Sequence, residues 1–159
     1  IIGNDPYLSD QRRAELGMEF VDQETLIRSS DFVTLHTPLT HETRHMINAG
    51  TLGWMKPTAY LINTSRGPMV DAEALAAALR SRRIAGAAID VYDQEPPPRD
   101  YPLFGLDNVI LTPHIAWASE EAGWEIRQSI LNDILAAAAG RPARCLVNPE
   151  VLDRKGSPR

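Results

Sequence analysis

The chain has 159 residues and a mass of 17.6 kDa, which is enough for one ordinary domain around a single hydrophobic core. Its 16 basic and 21 acidic side chains give a net charge of -5, without the clustered basic face that nucleic-acid binding requires. No apolar stretch reaches the roughly 18 residues that span a bilayer, and no signal peptide opens the chain. With only one cysteine, Cys145, the composition predicts a cytoplasmic protein that contacts neither nucleic acid nor membranes.

Short apolar runs alternate with helical patterns along most of the chain. The apolar runs predict strands at 32–36, 59–63, 86–91 and 108–112. The helical patterns lie at 9–17, 22–29, 48–55 and 71–83. This alternation predicts an α/β fold with a doubly wound parallel sheet, and the continuous apolarity of the strands predicts that both faces of the sheet are covered. The chain begins within an apolar run at Ile1, which indicates a piece of a longer sequence.

The last third of the chain predicts one proline-rich loop and one long helix. The loop at 94–102 leaves the end of a strand, where ligands of parallel sheets bind. The helix is expected to begin with Ser119 as its N-cap and to end at Gly140. Its apolar stripe consists of Ile126, Ile130, Ile134 and Ala138. We expect part of the surface that covers this stripe to lie outside the domain.

Three polar residues, Arg66, Glu95 and His114, follow three successive predicted strands. Because the carboxyl ends of parallel strands meet at one edge of the sheet, these side chains can converge on one crevice. Arg66 could hold a substrate carboxylate, Glu95 could orient the imidazole, and His114 could exchange a proton with a substrate oxygen. On spacing alone, solvated loop residues and a structural histidine remain open alternatives.

Asp5 is another informative carboxylate, and it precedes Pro6. An acidic residue at the end of the second strand of a dinucleotide-binding unit accepts hydrogen bonds from the adenine ribose and favours NAD over NADP. The alternative is an Asx turn before the proline. The glycine-rich turn that cradles the pyrophosphate would lie about 20 residues upstream of Asp5, before the first residue of this chain.

The tryptophans and histidines give weaker signals. Trp117 follows His114 by three residues, and substrate contact and core packing are equally plausible for it. Trp54 and Trp124 lie at helical positions and are expected to be packing residues. The remaining histidines do not have metal-ligand spacing, so no metal site is predicted.

Several motifs, in order along nearly the whole chain, resemble the D-isomer-specific 2-hydroxyacid dehydrogenases. The matching segments are 5–7, 31–40, 55–57, 63–67, 70–71, 85–91, 95–96 and 112–116. Within that family, the run 5–10 and Trp117 resemble most the branch that contains the C-terminal binding proteins. The resemblance implies a Rossmann-like NAD-binding domain with NAD as its cofactor.

The same resemblance implies roles for individual residues. Arg66, Glu95 and His114 take the family's catalytic positions. Asp5 takes the position that binds the adenosine ribose, and Asp90 the position that holds the nicotinamide carboxamide. The residues expected to line the cofactor are Thr37, Pro38, Thr43, Thr64, Ser65 and Arg66. Trp117 matches a tryptophan of the substrate pocket.

The implied activity is the NAD-dependent interconversion of a small 2-keto acid and a D-2-hydroxy acid by a homodimer. Family members are longer, because an N-terminal half supplies most of the substrate domain and the first strand and glycine-rich turn of the cofactor domain. We therefore expect 1–118 to be a partial NAD-binding domain, with weak affinity for NAD, and 119–159 to be a crossover helix and tail that contribute to the substrate domain. An NAD(H)-sensing scaffold of the corepressor kind and an inactive domain are the alternatives.

Overall fold

A computed structural model describes residues 1–144 and 146–151 of the chain. Cys145 and the polar tail from Leu152 onward lie outside the described residues. The chain divides into two compact units, Ile1–Ala116 and Trp117–Arg159.

The first unit holds parallel strands and the helices that connect them. The strands are β1 (Ile2–Gly3), β2 (Glu19–Phe20), β3 (Phe32–Leu35), β4 (Tyr60–Asn63), β5 (Gly86–Ile89) and β6 (Val109–Leu111). The helices of this unit are α1 (Asp10–Leu16), α2 (Gln23–Ser29), α3 (Ala49–Trp54) and α4 (Ala72–Arg80). The predicted α/β fold with parallel strands is confirmed. The short strand β2 was not predicted, because two residues are too few to show a period.

The sheet is interrupted between β1 and β3. Within the described residues, β1 pairs with β2, while β3, β4, β5 and β6 form a second sheet in that order. In the usual doubly wound order, 3-2-1-4-5-6, the first strand separates the second from the fourth. With β1 and β2 as the second and third strands and β3 as the fourth, the interruption falls at the place of the first strand. From the resemblance to the D-isomer-specific 2-hydroxyacid dehydrogenases, we expect that strand to be absent from this chain.

The hydrophobic core lies on one face of the four-stranded sheet. Its most buried side chains come from the strands and from α3 and α4, and they include Val33, Leu52, Leu61, Leu75, Leu79 and Ile89. Right-handed crossovers from β3 through β6 place the connecting segments on this one face. The other face is open in the described residues, where Phe32, Tyr60 and Ile110 are 65%, 44% and 67% exposed. The expectation that both faces are covered was therefore wrong for these residues.

Side-chain N-caps define where the helices begin. A side-chain oxygen of each capping residue accepts a hydrogen bond from a backbone N–H of the first turn, and these residues are Ser9, Asp22, Asn48, Asp71 and Ser119. The predicted caps Asp71 and Ser119 are therefore confirmed. Helix α4 ends at Arg80, three residues before the predicted end at 83.

The second unit contains α5 (Glu120–Ala138), followed by a short 3₁₀ turn at Pro149–Val151. The chain leaves the helix through Gly140, whose φ of +70° suits glycine, as the sequence predicts. Within the described residues of this unit, the apolar stripe is exposed, with Ile130 at 56% and Ile134 at 60%. Trp124 is also 62% exposed, so the expectation that it packs was wrong here. No helix among the described residues is long and apolar enough to cross a membrane.

Candidate active site

The loops that follow β4, β5 and β6 carry Arg66, Glu95 and His114. These strands are neighbours in a parallel sheet, so the three loops leave the same edge. His114 Nδ1 lies 2.8 Å from Glu95 Oε2. The predicted base, His114, and the predicted orienting carboxylate, Glu95, are therefore in contact, although they are 19 positions apart in the sequence.

Both oxygens of Glu95 have partners. Oε1 accepts a hydrogen bond from the backbone N–H of Tyr92 at 3.0 Å, while Oε2 contacts His114. The hydrogen bonds from His114 and Tyr92, with the nearby charges of His114 and Arg66, hold the pKa of Glu95 below its ordinary value of 4.5. Because this pKa is lowered, the carboxylate is charged above pH 4.5 and loses its charge only as the pH falls through the lowered value.

His114 has an unusual backbone conformation, with a φ of +54°. Its N–H donates to the carbonyl oxygen of Asp90 at 2.9 Å, which ties the histidine to the end of β5. When the proton on Nδ1 points to Glu95, Nε2 is the nitrogen of the ring that carries no proton in the neutral tautomer. The side chain of His114 is 43% exposed.

The Arg66 loop is shaped by a buried asparagine that the sequence reasoning did not single out. Asn63 is fully buried, its Nδ2 donates to the carbonyl of Arg66, and its Oδ1 accepts from the backbone N–H of Ser65. The hydroxyl of Ser65 donates to the carbonyl of Thr37 at 2.6 Å, which joins the loops after β3 and β4. A polar residue at the end of an otherwise apolar strand was the signal that could have identified Asn63.

Gly67 brings the Arg66 loop against the loop that carries Glu95. A Cβ atom at position 67 would lie 2.0 Å from the backbone carbon of Tyr92 and 2.4 Å from the nitrogen of Asp93. Only glycine allows this approach of two backbones. Residue 67 therefore helps to set the position of Arg66 relative to Glu95.

Asp5 forms the Asx turn that the sequence left as an alternative, because its Oδ1 accepts from the backbone N–H of Tyr7 at 2.9 Å. This contact does not exhaust the acceptor capacity of a carboxylate, so Asp5 can also accept from ribose hydroxyls. Asp90 is only 3% exposed and lies directly after β5. Acceptors after β1 and β5 match the hydroxyl and carboxamide donors of a dinucleotide, so the residues present fit NAD.

The other predicted cofactor residues lie in the loops after β3 and β4. The hydroxyl of Thr43 donates to the carbonyl of Pro38 at 2.8 Å, so it shapes its own loop. The hydroxyl of Thr37 contacts the sulfur atoms of two methionines. Thr64 is exposed. Their contacts with the cofactor stay predictions, as does the contact of Trp117, 58% exposed in the second unit, with substrate.

Among the described residues, no group of three or more His, Cys, Asp or Glu side chains could hold a metal ion.

Known proteins are similar to this chain over most of its length. The protein-family model described as the NAD binding domain of D-isomer specific 2-hydroxyacid dehydrogenases matches residues 1–116 of the sequence. Glyoxylate reductase from Thermofilum pendens is 52% identical over 135 residues, which are 85% of this chain and 40% of the relative. D-3-phosphoglycerate dehydrogenase from Archaeoglobus fulgidus is 42% identical over 148 residues, 93% of this chain and 28% of the relative.

Two solved structures are also similar to this chain. D-lactate dehydrogenase with NAD+ from Lactobacillus jensenii has a TM-score of 0.83 at 32% identity, over 92% of this chain and 47% of that protein. The NAD-complexed D-isomer specific 2-hydroxyacid dehydrogenase from Lactobacillus delbrueckii has a TM-score of 0.82 at 35% identity, over 92% of this chain and 48% of that protein.

The fold and these matches define an NAD-binding domain of the Rossmann type. The chain belongs to the D-isomer-specific 2-hydroxyacid dehydrogenase family. It spans less than half the length of each relative named above. The finer resemblance to the branch of the C-terminal binding proteins stays a prediction.

Proposed function

We propose that the protein to which this chain belongs is an NAD-dependent dehydrogenase that interconverts a small 2-keto acid and a D-2-hydroxy acid. The observation that carries this proposal is the contact of 2.8 Å between His114 Nδ1 and Glu95 Oε2, beside the loop of Arg66. A base, an orienting carboxylate and a guanidinium at one sheet edge are the groups that such a reaction needs. No contact of the described residues favours the scaffold alternative, so we do not propose it.

Three residues of this chain have separate roles in the proposed reaction. Bound NADH supplies the hydride that reduces the carbonyl carbon. Arg66 binds the substrate carboxylate and stabilises negative charge as it develops on the carbonyl oxygen. His114 donates a proton from Nε2 to that oxygen and, in the reverse direction, takes it from the hydroxyl group. Glu95 accepts the hydrogen bond from Nδ1 and orients the ring.

Cofactor binding is assigned to the loops that follow β1, β3, β4 and β5. Asp5 would accept from the adenosine ribose and Asp90 from the nicotinamide carboxamide. The remaining residues that would hold NAD are Thr37, Pro38, Thr43, Thr64, Ser65 and Arg66. Relatives named glyoxylate reductase and D-3-phosphoglycerate dehydrogenase support a 2-keto acid or 2-hydroxy acid as the substrate.

The full-length protein should oxidise NADH in the presence of a 2-keto acid. We would follow the loss of NADH absorbance with glyoxylate, hydroxypyruvate, pyruvate and a longer thioether keto acid. Rapid turnover of one of them supports the proposal and names the substrate class. NADH binding without turnover of any of them contradicts it and favours the scaffold alternative.

Two substitutions test the residue roles in that assay. His114→Ala should lower kcat by about 10²- to 10⁴-fold, because the proton donor is lost, with little change in NADH affinity. Arg66→Ala should raise KM for the keto acid and also lower kcat. The matched control is Arg12→Ala, since Arg12 is 61% exposed on α1 and pairs with Glu15. Normal turnover by the His114 variant would contradict the assignment.

The wider architecture is part of the same proposal. We propose that residues 119–159 contribute to a substrate domain, that Trp117 contacts the substrate side chain, and that the enzyme is a cytoplasmic homodimer. The exposed stripe on α5 supports the assignment to a substrate domain, and the single cysteine supports the cytoplasmic location. Sedimentation of the full-length enzyme should give the mass of a dimer, and a monomer at working concentrations would contradict the homodimer.

A further inference from the structure

Asp90 is a buried carboxylate with three hydrogen-bond donors, and all three belong to one short loop. The hydroxyl of Thr112 and the backbone N–H of Ile115, the latter at 2.9 Å, donate to Oδ1. The backbone N–H of Ala116 donates to Oδ2 at 2.9 Å. The carbonyl oxygen of Asp90 also accepts from the backbone N–H of His114 at 2.9 Å. The segment 112–116 is therefore anchored to a single residue at the end of β5.

This loop carries its histidine in a conformation that needs support. The φ of His114 is +54°, in the left-handed region that L residues other than glycine rarely adopt. Such a backbone conformation persists where contacts with the surrounding structure hold the residue in it. The donors to Asp90 lie on both sides of His114 in the sequence, so the carboxylate constrains the backbone before and after the imidazole.

Contact with nicotinamide does not account for these bonds. A carboxylate offers about four lone-pair positions, and three are taken by the loop. One position, on Oδ2, remains for an N–H of the carboxamide. Most of the acceptor capacity of Asp90 is thus directed at the loop of His114.

The charge state of Asp90 agrees with this geometry. Burial by itself would raise the pKa of Asp90, but the hydrogen bonds from Thr112, Ala116 and Ile115 and the charge of His114 lower it below the ordinary value of 3.8. Asp90 is therefore an acceptor on both oxygens at neutral pH.

We infer that Asp90, with the hydroxyl of Thr112, is a positioning residue of the reaction: it holds the segment 112–116 so that His114 Nδ1 meets Glu95. This inference rests on the proposed function for its kinetic consequence. The contact that it explains, between His114 and Glu95, is independent of any substrate.

The test uses the full-length enzyme and substitutions that remove the loop contacts singly. Asp90→Asn replaces one acceptor oxygen by an NH₂ group, which cannot accept from the loop. Thr112→Val removes only the hydroxyl at nearly constant shape, which keeps the test valid if the Asp90 variant does not fold. Thr112→Ser restores the hydroxyl. The control is Thr25→Val, which removes the same kind of bond, from Thr25 Oγ1 to Asp22 Oδ2, on α2.

We expect Thr112→Val to lower kcat roughly 10- to 100-fold without weakening NADH binding, because a misplaced catalytic group slows the chemistry. Thr112→Ser should recover most of the loss, and Thr25→Val should change nothing. If Asp90 served only the carboxamide, Asp90→Asn would weaken NADH binding while Thr112→Val stayed normal, and that result would overturn the inference.

A spectroscopic readout separates this inference from the proposed function. In enzyme labelled with ¹⁵N-histidine, the proton that His114 Nδ1 shares with Glu95 should give a downfield signal. Thr112→Val should shift or broaden this signal in the absence of NADH and substrate. Wild-type enzyme that reduces no keto acid would defeat the proposed function alone, whereas an unchanged His114 signal in the variant would defeat the positioning role.

Discussion

At the residue scale, three residues shape the loops that carry the chemical groups of the candidate site. Asn63 shapes the loop of Arg66, and Asp90 anchors the loop of His114. Gly67 lets the Arg66 loop approach the backbone at Tyr92, whose N–H donates to Glu95. The positions of the three chemical groups are therefore set by backbone contacts around them. If the proposed reaction takes place at this site, these contacts preorganise its chemical groups.

Gly67→Ala should damage both stability and catalysis. The new Cβ would meet the backbone of Tyr92 and Asp93, so the two loops must separate. We expect a loss of about 1–3 kcal/mol in the free energy of unfolding, measured with urea, and a clear fall in kcat of the full-length enzyme. The control is Gly53→Ala on α3, where nothing lies within 4 Å of the new Cβ and helix propensity favours alanine. Equal stability of the two variants would show that the loops move apart without cost.

At the element scale, side-chain caps and core-facing positions explain why the helices form where they do. Helix α4 begins after Asp71, whose Oδ1 accepts from the N–H of Ala74 at 3.0 Å. Leu75 and Leu79 then lie one turn apart on the buried face. The sequence predicts the start of this helix better than its end, because the N-cap is a local signal whereas fraying of the last turn depends on its surroundings.

Asp71→Ala should cost about 1 kcal/mol of unfolding free energy, because a backbone N–H of the first turn of α4 loses its acceptor. Thermal or urea unfolding of the chain measures this loss. Asp71→Asn is the matched control, since asparagine caps helices about as well as aspartate. A similar loss in both variants would indicate that charge, rather than the capping hydrogen bond, is responsible.

At the scale of the whole molecule, two apolar surfaces are open in the described residues. One is the face of the four-stranded sheet with Phe32, Tyr60 and Ile110, and the other is the stripe of α5. They belong to different compact units. Exposed apolar surfaces of this kind mark places where further protein packs. The relatives are more than twice as long as the matched region, which agrees with our proposal of a substrate domain.

In the 159-residue chain, polar substitution on the stripe of α5 should cost little. Ile130 is 56% exposed, so we expect Ile130→Gln to change the free energy of unfolding by less than about 0.5 kcal/mol. Leu75→Ala, at a fully buried position of α4, should instead cost about 2–5 kcal/mol. Urea unfolding of both variants gives the comparison. A large loss for Ile130→Gln would mean that the stripe is covered in solution.

Some features of the fold and of the candidate site could be predicted from the sequence, and others could not. The strands that precede Arg66, Glu95 and His114 follow from short apolar runs, and the caps Asp71 and Ser119 follow from single polar residues. The open face of the sheet did not, because continuously apolar strands predict that both faces are covered, whereas Phe32, Tyr60 and Ile110 are exposed in the described residues. The burial of Trp124 was misjudged because an apolar residue on a helix does not identify its partner surface.

The sequence by itself determined the class of fold, the helix starts and the kinds of chemical groups at the strand ends, because these depend on neighbours a few residues apart. Only the tertiary structure decided that His114 meets Glu95, that Asp90 anchors the histidine loop, and that Gly67 must lack a side chain. Those contacts join segments that lie on different strands. Their geometry follows from the crossovers and register of the parallel sheet, which no local pattern specifies.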